Sequence, residues 1–462
     1  MSLTFHINSI LRIATFFLLL FFSLSANLKV TAQPAPGNPW TFEDCVNYAL
    51  NHNITVRQSQ LNQLTKKLNL TQSQMALIPS LNANASHNFN YGRNIDETSY
   101  EYVNQNSESG NYFAGSEVTL FEGFSKLQTI KQNLAEVKAA GFEYQKAKND
   151  ITLNLAMIFL QILFYKDQVK IADEQLQITK ELEQKNRILF TAGTISEGNL
   201  LNVQSQIAAE ELELVTKQNQ LDLSILTMRQ LLDLDDLMEF DIKRPALLDP
   251  ESNNLLSVTD IYYKALENMP EIKGAEQTLL ASRHALKVAQ SSRYPTLNMN
   301  GGMSSRYFSL TKDFFTGEKV PFNTQFDNNF NQNFGFSLNV KLFNGYMVNH
   351  AISRAKIGVM ANDYAFTDAK KKLKNNIQNA YADALAAFKK YQAAEKSVNS
   401  QKTSFQYAEK KYSAGSIPSF EYNDLKNRFH KSETEYLQAK YDYVFKMKIL
   451  DFYSGKNIEI GN

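Results

Sequence analysis

The side chains that most often carry chemistry are thinly spread in this sequence. The six histidines, His6, His52, His87, His284, His350 and His430, share no close spacing, and no His-Glu-x-x-His pair is present to hold a metal. Cys45 stands alone, which excludes a disulfide framework and a Cys-x-x-Cys site. No glycine-rich phosphate loop follows a strand pattern. Gly301-Gly302 lies inside such a pattern, where glycines mark a bend or close strand packing. These residue types argue against an enzyme, a cofactor or a metal centre. What the chain does carry is a polar alternation, Asn82, Asn84 and later Asn298, Asn300, set between apolar neighbours. That is the chemistry of a sheet with one wet face and one dry face.

The chain has 462 residues, with Lys+Arg 48 against Asp+Glu 47, 43% hydrophobic and 21% charged. A near-zero net charge offers no basic surface for phosphates, so no nucleic-acid partner is expected. Residues 1–32 hold His6, Arg12 and Lys29 but no acid, and Ile13 to Phe22 form an apolar run. This reads as a cleaved secretory signal peptide ending in Val30-Thr31-Ala32, with Gln33 as the new terminus. An uncleaved anchor is the alternative, although the run is shorter than the ~20 residues of a membrane span. Cys45, preceded by Thr41-Phe42-Glu43-Asp44, does not read as a lipidation site. Beyond residue 32 no apolar stretch reaches ~18 residues; Leu153 to Tyr165 is the nearest, and the buried face of a long helix explains it better. Such an exported chain is periplasmic, secreted, or held in the outer membrane as strands.

The sequence is written twice. Val118-Thr-Leu-Phe-Glu-Gly123-Phe recurs as Val340-Lys-Leu-Phe-Asn-Gly345-Tyr, and Phe190-Thr-Ala-Gly193-Thr-Ile-Ser as Tyr412-Ser-Ala-Gly415-Ser-Ile-Pro, both at an offset of 222 residues. Thr41-x-x-Asp44 matches Ser257-x-x-Asp260 and Pro79-Ser-Leu81 matches Pro295-Thr-Leu297, both at 216. The expected units are therefore residues 33–234 and 257–455, joined by a linker over 235–256 and followed by a tail at 456–462.

Each unit parses alike. Thr41 and Ser257, each with an acid three residues on, read as N-caps of short helices that lead into longer ones ending at Pro79 and Pro295. Strands are expected at 81–91 and 112–121, then at 297–307 and 334–343, from period-two alternation such as Leu81, Ala83, Ala85 against Asn82, Asn84, Ser86. Residues 92–110 and 309–332 have the composition of exposed loops. From 124 to 190 and from 346 to 412 the chain runs without proline, which predicts helices about 100 Å long at ~1.5 Å per residue. Gly193 and Gly415 stop them. Return helices are expected at 196–234 and 418–452. Their apolar residues, Leu200, Ile207, Leu214, Leu221, Met228 and then Tyr422, Phe429, Tyr436, Tyr443, Leu450, keep a strict step of seven, the pattern of left-handed coiled-coil packing.

Four strands per chain cannot close a sheet, and an open edge is not tolerated in lipid. Two copies give eight strands, a barrel filled by side chains; three give twelve and leave a lumen, so the strand arithmetic favours a trimer. The competing reading is a non-conducting coiled-coil structural or adhesive protein of the envelope, whose strands pair without a pore.

Two tandem copies of helix, strand, strand, 67-residue helix, glycine turn and return helix, with Leu-Phe-x-Gly at 120–123 and 342–345, resemble the TolC outer-membrane efflux family over essentially all of residues 41–455. The resemblance implies a mainly α fold with membrane β: a homotrimeric twelve-stranded barrel in outer-membrane lipid, continued by an α-helical coiled-coil barrel across the periplasm. It implies a passive exit duct of a tripartite efflux or type I secretion system, with a periplasmic adaptor protein as direct partner and an inner-membrane pump acting indirectly. It assigns adaptor docking to Ala192, Gly193, Thr194, Ala414, Gly415 and Ser416, which are otherwise plain turns. Acidic residues six and nine positions after the second tip glycine narrow the family aperture; here these are Glu421 and Asp424, spaced to share one helix face. Two departures stand out. Ile417 occupies the position of a basic lock residue, and Asn199 replaces an acid, so that Tyr412 would be limited to a neutral hydrogen bond with Asn199.

Overall fold

The computed structural model describes residues 39–95, 101–235, 240–245 and 257–460. The expected signal peptide at 1–32, most of the expected linker at 235–256 and the final two residues of the expected tail lie outside the described residues.

Thr41 opens α1 (Phe42–His52) through a capping box: the Asp44 amide donates to Thr41 Oγ1 at 3.2 Å and the Thr41 amide to Asp44 Oδ2 at 3.0 Å. Helix α2 (Ile54–Met75) leads to β1 (Ser80–Asn90), then a small hairpin of β2 (Arg93–Ile95) and β3 (Tyr102–Asn104), and then β4 (Ser107–Glu122). The long helix α3 (Ser125–Thr191) and the return helix α4 (Glu197–Leu232) complete the first unit. The second unit repeats the order. Ser257 caps α5 (Val258–Asn268), and α6 (Pro270–Ser291), β5 (Thr296–Phe308), α7 (Phe322–Asn328), β6 (Asn331–Asn339), the long helix α8 (Met347–Ser413) and the return helix α9 (Ser419–Tyr453) come after it.

The main sheet is antiparallel with order β1-β4-β5-β6, so β1 and β6 are its edges. Its register separates two faces. Leu81, Ala83, Ala85, Tyr112, Val118, Leu297, Met299, Phe334, Phe336 and Leu338 share one side, while Asn82, Asn84, Asn298, Asn300, Asn333 and Arg306 share the other. Three strand limits differ from the sequence expectation by three residues or more, the others by one. β4 begins at Ser107, not 112, because Ser107 to Asn111 pair with β1 and the segment is not loop. β6 covers Asn331–Asn339 where 334–343 was expected: its last partner is Thr296, and Pro295 ends β5, so Val340 and Leu342 have no ladder to join. α7 and the β2–β3 hairpin occupy stretches whose polar composition reads as loop.

The Leu-Phe-x-Gly motif turns strand into helix. Gly123 and Phe124 both lie in the left-handed region, with φ of 58° and 65°, and Gly345 and Tyr346 repeat this at 61° each. A side chain at Gly123 would meet the Ser291 carbonyl at 2.7 Å, so glycine is required there for room as well as for φ. Only two residues separate β4 from α3, whereas seven separate β6 from α8.

The largest core is a belt around the middle of α3. Leu155, Ala156, Phe159, Leu160, Ile162 and Leu163 pack with Trp40, Phe42 and Cys45 from α1 and its approach, with Met228 and Leu232 of α4, and with Ile242, Tyr441 and Ile460. Burial pushes the Cys45 thiol up to about 12, as suits a packing residue and not a nucleophile. Residues 240–245 strap the belt: the Trp40 amide donates to the Asp241 carbonyl at 2.8 Å, Lys166 pairs with Asp241 at 2.5 Å, and Arg244 pairs with Asp167, which also accepts from the Tyr441 hydroxyl at 2.8 Å. A second cluster joins α5 and α6 to Leu373, Ile377 and Ala384 of α8 and Leu450 of α9. Among the described residues no helix is long and apolar enough to cross a membrane.

Candidate functional site

The two helical hairpins end in matching turns. In the first, the Gly193 amide donates to the Phe190 carbonyl and the Thr194 amide to the Leu189 carbonyl, both at 2.9 Å; in the second, Gly415 donates to Tyr412 at 3.0 Å and Ser416 to Lys411 at 2.8 Å. This is the Schellman closure of a helix C-terminus, and it needs the positive φ of 74° and 71° that the two glycines supply. Ala192, Gly193, Thr194, Ala414, Gly415 and Ser416 are all exposed. Ile188, Leu201 and Phe420 beside them are exposed as well, so the turns sit on an uncovered apolar rim.

The seam above the second turn is aromatic. Tyr412 stacks on Tyr422 with ring centroids 4.7 Å apart, Phe405 lies between Tyr422 and Phe429, and Tyr391 stacks on Tyr443 at 5.9 Å. The partners on α8, Ile377, Ala384, Tyr391, Val398, Phe405 and Tyr412, keep their own step of seven. Burial, together with Glu409 and Tyr412, pushes the Tyr422 hydroxyl up to about 12.

Tyr412 does not reach Asn199. Its ring is committed to the stack on Tyr422, which aims the hydroxyl at α3, and the nearest partner is Asn186 Oδ1 in a long 3.5 Å contact. Glu421 and Asp424 are both exposed in the first turns of α9, with Glu421 near the positive end of the helix dipole. Asp424 is not free: Arg428 Nε lies 2.9 Å from its Oδ2, one helical turn on. The acidic pair therefore comes with a cation attached.

A buried polar cluster lies about one turn beyond Tyr422. Lys426 is 1% exposed and Glu210 3%, and their Nζ and Oε1 are 3.1 Å apart. Lys426 also donates to the Gln175 carbonyl at 3.1 Å and to Thr179 Oγ1, while Gln175 and Gln206 donate to Glu210 at 3.1 and 2.9 Å. The cluster ties α9 of the second unit to α3 and α4 of the first. Burial pulls the Lys426 ammonium below the usual lysine range, and Glu210 offsets that only in part. The sequence carried a signal for it. The repeat offset of 222 pairs Lys426 with Gln204 and Glu210 with Ser432, so each charge occurs in one copy only.

Comparison with known proteins defines the class. The Outer membrane efflux protein family model matches residues 45–233 and 261–455, once on each unit. The chain belongs to that family, whose members are transport channels, and it is an outer-membrane exit duct. It is similar to outer membrane protein TolC of Escherichia coli (strain K12), 21% identical over 385 residues that cover 81% of this chain and 74% of TolC. It is also similar to the alkaline protease secretion protein AprF of Pseudomonas aeruginosa, 20% identical with 72% and 67% covered. Among solved structures, the Campylobacter jejuni CmeC outer membrane channel shares the fold with a TM-score of 0.72 at 15% identity, covering 91% of this chain and 87% of that one.

Proposed function

We propose that three copies of this chain close a twelve-stranded barrel in the outer membrane and bundle their helical hairpins into a periplasmic tunnel that passively exports small molecules or proteins. The sheet carries the reading. It has four strands, a wet face and a dry face, and its edges β1 and β6 pair with nothing among the described residues. In lipid such edges must find partners, and twelve strands are the smallest multiple of four that leaves a lumen for the asparagine face. The envelope-adhesin reading gives no reason for two faces of opposite polarity on an unclosed sheet.

The exposed turns at Ala192-Gly193-Thr194 and Ala414-Gly415-Ser416, with their apolar rim, are the docking ends for a periplasmic adaptor, which links the duct to an inner-membrane pump. Glu421 and Asp424 line the aperture between the tips, and Tyr412 and Asn186 brace it from the side. Three copies would set six carboxylates and three Arg428 guanidinium groups around one axis, a ring of reduced but still negative charge that favours cations.

Reconstitution in planar bilayers tests this. Trimers should conduct with cation selectivity, and Glu421→Gln/Asp424→Asn should lower that selectivity. A stable monomer in detergent would falsify the assembly, and unchanged selectivity in the double variant would remove the ring while leaving the duct.

A further inference from the structure

The segment between β5 and β6 holds an apolar feature that neither the tunnel nor the lumen uses. Phe314 and Phe315 are 84% and 92% exposed, with rings at 89° to one another. They sit at the end of a braced hairpin. The Asp313 amide donates to the Glu318 carbonyl at 2.8 Å, Val320 donates to Thr311 at 3.0 Å, and Lys312 bridges to Lys319. Asp313 Oδ1 accepts from the Phe315 and Thr316 amides, both at 2.9 Å, and these bonds hold its carboxyl below the usual carboxylate range. The tip is built to hold two phenylalanines out.

The neighbouring helix shows which side the tip serves. Val320 and Pro321 lead from the hairpin into α7, which lies on the apolar face of the sheet. Phe322 packs on Tyr112 and Tyr307 with centroids 5.8 and 5.2 Å apart, Phe326 packs on Tyr112 at 5.6 Å, and Ser305 donates to the Phe326 carbonyl at 2.7 Å. Buried Gln325 locks hairpin, strand and helix together, exchanging hydrogen bonds with Phe308 at 3.0 Å and donating to Val320 at 2.8 Å. The other side of α7, Asn323, Thr324, Asp327 and Asn328, is polar and largely exposed. Ser305 lies eight residues along β5 from Leu297, about 26 Å of strand at ~3.3 Å per residue and roughly 20 Å of height at a tilt of ~40°, so α7 rests in the outer part of an apolar band about 25 Å tall. The near border leads to the long helices.

We infer that residues 309–330 form a collar on the lipid side of the barrel rim, with Phe314 and Phe315 seated at the boundary between headgroups and acyl chains of the outer leaflet. This rests on the barrel reading proposed above. Lipid is the occupant because the hairpin and α7 stand on the face of the sheet that meets lipid, α7 turns its polar residues outward as suits headgroup level, and exposed aromatic side chains such as Phe314 and Phe315 are what girdle a barrel at that border. The lumen face of the sheet has no part in the collar.

Tryptophan quenching separates the collar from the barrel. Buried Trp40 lies far off in the helical belt and supplies a constant background. Phe336→Trp probes the lipid-facing sheet and Phe315→Trp the collar, each as the full-length protein in phosphatidylcholine vesicles. Lipid brominated near the headgroup should quench the emission added by Phe315→Trp, and that emission should lie at shorter wavelength than that of tryptophan in water. Lipid brominated near the chain end should quench it less. If Phe336→Trp is quenched by lipid and Phe315→Trp only by aqueous iodide, the collar is wrong and the barrel stands. Protection of Phe315→Trp from both quenchers would mean that another copy or another protein covers it, which also overturns the inference. If neither tryptophan is quenched by lipid, the barrel reading falls and the collar with it.

Discussion

The two long helices are copies of one design placed in unequal surroundings. α3 packs against α1, α2, α4, α6 and α9 and carries the central belt, whereas α8 packs against α5, α6 and α9. At the repeat offset of 222, Ala135 of α3 is 2% exposed and Ile357 of α8 is 65% exposed. Phe142 is half-buried where Tyr364 is open. Duplication supplied one helix that a single chain can satisfy and one left largely exposed, which the proposed trimer would cover. The seams differ too: Leu200 to Met228 is aliphatic, while Tyr422 to Tyr443 is aromatic and stacked. The buried Lys426–Glu210 pair then joins two hairpins that sequence symmetry alone would leave as strangers.

Breaking that joint should have the largest effect. Lys426→Ala leaves Glu210 buried and unpaired and is expected to cost about 3–5 kcal/mol at the tips, whereas Lys426→Met/Glu210→Met should be near neutral. Hydrogen exchange across α4 and α9 reads the difference; equal protection in both variants would show that the pair does not couple the hairpins. Next comes the unequal burial. Ala135→Leu should overpack the first unit by about 1–3 kcal/mol, visible as a lower unfolding temperature. Ile357→Asp should instead spare the fold of the single chain and reduce trimer in mass photometry, and the opposite pattern would reverse the roles given to α3 and α8.

A smaller effect is expected at Tyr422. Its folded pKa of about 12 lies above the ordinary tyrosine value of 10.0, so its contribution is whole below pH 10 and is lost as pH rises toward 12. Helical circular dichroism should fall across that window, and Tyr422→Phe should flatten part of the fall. An unchanged curve would assign the loss to other buried tyrosines such as Tyr441, which burial and Asp167 also push upward. The smallest effect belongs to Arg428→Gln, which removes an exposed i,i+4 pair worth ~0.3–0.5 kcal/mol yet should raise cation selectivity in planar bilayers, because Asp424 is then unpaired.

Much of the architecture was legible because the signals were local. The N-caps at Thr41 and Ser257, the glycine turns at 193 and 415, and the step-of-seven columns each depend on a few residues close in sequence. The candidate site was legible only as a position on the chain. That Tyr412 faces Asn186 and not Asn199, and that Lys426 finds Glu210, depends on how two hairpins lie against each other, which no periodicity within one helix encodes. Helix α7 escaped for a related reason: Phe322 and Phe326 make an apolar pair only because Tyr112 and Tyr307 stand beneath them. The early end of β6 was set from outside, by Pro295 on its neighbour.

The strand-to-helix junctions give the two arms different mechanics. With Gly123 and Phe124 as its entire link, and no room for a side chain between Gly123 and the Ser291 carbonyl, α3 is joined to the sheet like a cantilever, while α8 follows seven residues of tether with open space where a side chain at Gly345 would lie. A lateral excursion of ~10 Å at the end of a ~100 Å arm amounts to a tilt of roughly 6°, well under one degree per residue when spread along a gently curving helix. The clamped arm has to bend to supply it, whereas the longer link leaves α8 more freedom at its root, where Arg293 donates to Asn349 Oδ1 at 3.1 Å.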